Sequence, residues 1–176
     1  ETLEIAKRSA VVKIDGKLDE AVWASLDQYD EFVVIEPDTL VKPAHATWVS
    51  LFYNQLGLYV GVQVEQPPET RIARLSSRDN RQIKRDSVGM VLDTSGEGRY
   101  GYWFGINLGD AQMDGTLLPE KQFTSDWDGA WEGATSETQT GWAAEMFIPW
   151  GVVSMPKQAG ARRIGLYMER FVAYKD

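Results

Sequence analysis

The sequence predicts an all-β domain: an antiparallel β-sandwich of jelly-roll type with one short helix near its N-terminus. Two observations carry this. Apolar residues occupy every second position in run after run. Polar, glycine-bearing turns close those runs. The length, 176 residues, fits a single domain, since sandwiches of up to roughly 250 residues fold as one unit.

The alternation is clearest in four runs. Leu58, Val60, Val62 and Val64 share one face, as do Val88, Met90 and Leu92. Trp142, Ala144, Met146 and Ile148 share another, and Ile164, Leu166 and Met168 a fourth. Further strands are predicted over 11–14, 32–35, 46–53, 100–108, 112–117 and 130–138. Asn54-Gln55-Leu56-Gly57, Ser95-Gly96-Glu97-Gly98 and Thr138-Gln139-Thr140-Gly141 supply the turns. The helix is expected at Val22, Trp23 and Leu26, which fall on one face, with Asp19 as its cap and Glu20 in its first turn. Residues 71–86 break the pattern. They hold Arg71, Arg74, Arg78, Arg81 and Arg85 with little strand signal, and read as the longest functional loop.

Composition narrows the function. Lys and Arg total 18 against 26 Asp and Glu, a net charge of −8. That sign repels phosphate backbones and anionic lipid surfaces, so nucleic acid and membrane docking are poor expectations. No apolar run approaches the roughly 20 residues of a membrane helix. The absence of cysteine excludes disulfides and thiolate sites. No Gly-x-Ser-x-Gly elbow or zinc-protease helix is present, and no carboxylate pair stands out as catalytic. The chain is expected not to be an enzyme. It opens on Glu1 and stops just after a strand-like run, and reads as part of a longer protein.

Five motifs occur in a telling order: Ile14-Asp15-Gly16-Lys17-Leu18-Asp19-Glu20-Ala21-Val22-Trp23, Arg85-Asp86-Ser87-Val88-Gly89-Met90-Val91-Leu92-Asp93, Tyr102-Trp103-Phe104-Gly105-Ile106-Asn107, Trp127-Asp128-Gly129-Ala130-Trp131-Glu132 and Gly141-Trp142-Ala143-Ala144-Glu145-Met146-Phe147-Ile148-Pro149-Trp150. Together they resemble the family 9 carbohydrate-binding-module-like (CBM9-like) domain. The variant is that found at the N-terminus of large bacterial envelope proteins, some with an outer-membrane barrel behind it. The resemblance spans nearly the whole chain. It implies a sandwich, often with structural calcium, and an oligo- or polysaccharide ligand. It also implies a periplasmic, envelope or extracellular setting, with the rest of a parent chain as partner. Founding members clasp a sugar between two tryptophans beside an arginine. The corresponding places here hold Arg78 to Arg85, Tyr174 and Gly105.

The residues themselves offer a substitute. Trp103 lies between Gly101 and Gly105, with Asn107 on the same face, and glycine in a strand marks close approach of something else. An indole there is either a platform for a pyranose face or a ring packed beneath a loop. Trp127 is a second candidate platform, and the alternative is an anchor for its turn. Arg78, Asp79 and Arg85 either bond a ligand or form the pairs Arg78–Asp79 and Arg85–Asp86 that pin the loop. Asp126 and Asp128 flank Trp127 with a spacing that suits calcium or an Asx-turn. His45, the single histidine, cannot build a zinc site alone, and leaves an axial haem ligand as its most exotic role. The expectation is a non-catalytic carbohydrate-binding module. The first alternative is an interaction or structural sandwich that has lost sugar binding, and the second is a haem-carrying redox sandwich.

Overall fold

The structure, a computed structural model, describes residues 2–80, 82–157 and 159–175. Its strands are β1 (Ala6–Lys7), β2 (Thr47–Tyr53), β3 (Gly57–Glu65), β4 (Ser87–Asp93), β5 (Gly101–Asn107), β6 (Gln112–Leu118), β7 (Gln122–Thr124), β8 (Glu132–Glu137), β9 (Gly141–Pro149) and β10 (Gly165–Phe171). They form two five-stranded sheets, ordered β1-β2-β3-β9-β8 and β10-β4-β5-β6-β7. Among the described residues only the β1–β2 pair is parallel. The all-β sandwich read from the alternation is therefore the fold.

The period-two residues make the core. Val60, Val62, Met90, Leu92, Phe104, Ile106, Trp142 and Met146 meet between the sheets, each at most 2% exposed. Burying each aliphatic side chain of this kind contributes about 1.5–3 kcal/mol. A second, smaller core lies on the outside of the first sheet. Residues 10–26 cross that face and cover Phe52, Tyr59 and Phe147 with Val12 and Trp23. Phe52 stacks on Tyr59 at 4.5 Å, and Trp23 meets Phe52 edge-on at 5.4 Å. This is why β3 and β9 are buried on both faces although each alternates like a half-buried strand.

Glu145 ties down that cover. Its carboxylate, on the outer face of β9, accepts from the backbone N–H groups of Asp15 and Gly16, both at 2.9 Å, and from Trp23 Nε1 at 3.1 Å. Gly16 is required there. It has φ +82°, and a Cβ on it would stand 2.3 Å from the Thr135 backbone.

Three expectations change. The stretch 11–14 alternates correctly, with Val12 buried and Val11 exposed, but forms no strand. The Asp15 and Gly16 N–H groups just beyond it go to Glu145 instead of to a ladder. Residues 32–35 are likewise irregular, with Val34 bonded to Val41 across a local turn. The helix, α1 (Ala21–Ala24), has Glu20 rather than Asp19 at its N-cap and no side-chain cap. Its anchor is Trp23, 5% exposed. No helix among the described residues is long and apolar enough to cross a membrane.

At one end of the sandwich, Asp86 joins both sheets. Its buried carboxylate accepts from Gln66 Nε2 at 2.8 Å, Ile72 N at 2.7 Å and Ala173 N at 2.9 Å. Gln66 Oε1 in turn accepts from Trp142 Nε1 and Arg170. Burial lowers the Arg170 guanidinium to about 10, still cationic at neutral pH. Asp86→Asn keeps the volume but turns an NH2 toward one of these donors. It is expected to cost about 2 kcal/mol, readable as a lower urea midpoint at unchanged slope.

Candidate functional site

Strand register lays out the outer face of the second sheet. Tyr167, Val91, Trp103 and Gly115 form one cross-strand row. Glu169, Gly89, Gly105 and Met113 form the next, and Phe171, Ser87 and Asn107 a third. Trp103 leans from its own row into the second. A Cβ on Gly105 would come within 2.7 Å of its Cη2, and one on Gly89 within 3.1 Å of its Nε1. The glycines therefore seat the indole edge. What approaches them closely is the ring of Trp103 itself. Its Nε1 donates to Glu169 Oε1 at 2.8 Å. Phe123 meets it edge-on at 5.7 Å. The indole is half-buried, fixed on three sides, and lines two cavities.

The smaller cavity, about 450 Å³, lies between Trp103 and residues 80 and 82–85, with Asn80, Gln82 and Lys84 on its wall. The larger, about 820 Å³, runs from Trp103 around the free edge of β10 to residues 28–37. The wall of the smaller one is held by arginines. Arg85, 3% exposed, donates to Ser76 Oγ and the Asn80 carbonyl and touches Met113 Sδ. Arg78 bonds the Asp114 carboxylate, Asp128 Oδ1 at 2.8 Å, Gln112 Oε1 at 2.8 Å and Gly129 O at 2.8 Å. Asp79 lies 3.8 Å from Arg78 Nε and accepts from the Asp114 N–H at 3.0 Å. Burial pushes the Asp114 carboxyl up, against the pull of the Trp131 indole and Arg78.

The predicted site residues thus divide. Trp103 and Arg85 border the same cavity, whereas Arg78 and Asp79 act as pins for its wall. Asp79 and Arg78 are neighbours as expected. Arg85 and Asp86 are not a pair, because consecutive residues entering a strand point to opposite faces: Arg85 turns outward and Asp86 inward. Arg81 lies outside the described residues. Asn107 is buried and donates to Arg74 O at 3.1 Å, so it supports the loop from below. Trp127 lies on the other side of the sheet, packed on Tyr102 at 5.0 Å and Phe104 at 5.7 Å.

Asp126 and Asp128 are exposed. The carboxylate of Asp128 is taken by a guanidinium, and its neighbourhood does not fit a calcium ion. No cluster of three His, Cys, Asp or Glu suited to a metal is found among the described residues. His45 Nε2 lies 2.6 Å from Tyr174 Oη. Sequence reading missed Glu169, Phe123, Tyr167 and Phe171. The alternation of β10 carried a signal for three of them, since Tyr167, Glu169 and Phe171 share the face opposite Leu166 and Met168.

No protein-family profile matches the chain, and no curated protein matches it. Among solved structures, a family 9 carbohydrate-binding module from Caldicellulosiruptor kristjanssonii in complex with cellotriose superposes with a TM-score of 0.61 at 16% identity, covering 93% of this chain and 73% of that one. The same module in complex with glucose gives 0.61 at 16% identity, covering 93% and 74%. A protein of Bacteroides uniformis ATCC 8492 with a provisional carbohydrate-binding designation gives 0.71 at 13% identity, covering 96% and 82%. The chain shares the fold of these proteins.

Proposed function

We propose that the chain is a non-catalytic carbohydrate-binding module whose ligand face is the outer surface of the β10-β4-β5-β6-β7 sheet. The observation that carries this is Trp103: an indole locked by Glu169, Gly89 and Gly105 in the wall of two open cavities. A pyranose presents C–H groups on its flat faces and hydroxyls at its rim. The indole suits the first, and the amides of Asn80 and Gln82 with the ammonium of Lys84 suit the second. The similarity to modules that hold cellotriose and glucose supports a saccharide partner. A single indole with a polar loop replaces the double-tryptophan clasp. A net charge of −8 favours a neutral glycan over an anionic one. The setting that goes with such a ligand is the periplasm, cell envelope or exterior of a bacterium.

The test is a glycan-array screen followed by calorimetry on wild type and Trp103→Ala. A glycan that binds wild type should bind the variant at least tenfold more weakly, about 1.4 kcal/mol, at a temperature where both proteins are fully folded. Equal affinity in the variant would move the site elsewhere. No binding to any glycan would point to an interaction module on a retained fold.

A further inference from the structure

The shape of this face points beyond sugar binding to the kind of sugar. Resting on the reading of Trp103 as the platform, we infer that the module grips an internal stretch of a glycan chain rather than its end. The two cavities share Ser87, Trp103 and Phe171 as lining residues, so they adjoin at the indole. A slot that captures a chain end is closed behind the terminal ring, and this one runs on across β4 to β10. There it meets two more aromatics on the same face, Tyr167 at 47% and Phe171 at 39% exposed. They stand on either side of Glu169, the residue that holds the indole. β10 is the last strand of its sheet, and the larger cavity continues past Tyr167 and Phe171 to residues 28–37. From β5 to β10 is two inter-strand steps, about 10 Å, a span longer than one pyranose ring. Trp103 would receive one sugar and the β10 aromatics a later one, with Asn80, Gln82 and Lys84 bonding hydroxyls along one side.

Calorimetric titration with cello-, xylo-, manno- and malto-oligosaccharides of one to six units tests this, on wild type, Phe171→Ala and Tyr167→Ala. In the series that binds, affinity should rise at least tenfold from one unit to four. Reduction of the terminal sugar to its alditol should leave the six-unit affinity within twofold. Phe171→Ala and Tyr167→Ala should each weaken the four-unit ligand at least fivefold, and Tyr167→Ala should leave the one-unit ligand within twofold. Equal affinity from one unit to six, or loss of binding on reduction, would overturn the extended site and leave sugar binding at Trp103 standing. If no oligosaccharide of any series binds, the functional reading falls, and this inference with it.

Discussion

Glu145→Ala is expected to lower the unfolding free energy by about 4 kcal/mol, because the donors it strands are buried. Asp15 N, Gly16 N and Trp23 Nε1 all lose their acceptor, and the cover over Phe52 and Tyr59 loses its anchor. Chemical denaturation gives the magnitude, and hydrogen exchange at residues 10–26 shows the cover loosening first. The same residue makes stability depend on pH. Burial raises the Glu145 carboxyl from 4.5 to about 7, with the Asp15, Gly16 and Trp23 donors pulling the other way. A carboxyl whose folded value lies above its unfolded one binds its proton more tightly when folded. Its contribution is full below about pH 4.5 and is lost as pH rises through 7, up to about 3 kcal/mol in all. Wild type should therefore lose stability between pH 5 and pH 8 relative to Glu145→Gln, which has no such proton. If the difference between the two proteins stays constant over that range, Glu145 does not titrate there.

Arg78→Ala should be the second severe substitution, at about 2–4 kcal/mol. The Asp114 side chain is fully shielded and Arg78 about a third exposed, so the pair is screened less than a surface bridge but more than a fully interior one. Without the guanidinium, Asp114 keeps Trp131 Nε1 as its side-chain donor, and Gly129 O and Asp128 lose their tie to residues 76–80. Asp114→Asn in the same protein removes the stranded charge and should restore at least half of the loss. Glycan affinity separates the two roles considered for this arginine. If Arg78 only braces the cavity wall, the double variant recovers affinity along with stability. If it touches the ligand, stability returns and affinity does not.

These residues show what a sequence can and cannot disclose. Strands such as β4 were legible to the residue, because alternation is local and Val88, Met90 and Leu92 pack the same core. Strands β1 and β7 were not, since two and three residues are too few to carry a period. Residues 11–14 alternate because one side faces Tyr59 and Phe52, and apolar alternation does not say whether the backbone pairs. For the site, the spacing showed Trp103 between Gly101 and Gly105 but not what holds it. Gly105 and Gly89 admit the indole edge, and the group that fixes it is 66 residues away in Glu169. The arginine segment looked like ligand chemistry, yet Arg78 and Arg85 are largely committed to holding it in place. Partners that lie far apart along the chain leave no trace in spacing.

The proposed sugar site centres on Trp103, and one spectrum tests it. Of the seven tryptophans, Trp23, Trp131 and Trp142 are buried, while Trp103 lines the cavities. Labelled with 15N and titrated with the best-binding oligosaccharide, the protein should show the Trp103 indole Nε1–H signal, assigned by its disappearance in Trp103→Phe, moving progressively to saturation. The indole signals of Trp23 and Trp142 should stay in place. Saturable sugar binding that leaves the Trp103 signal unmoved and shifts another indole instead would contradict the site.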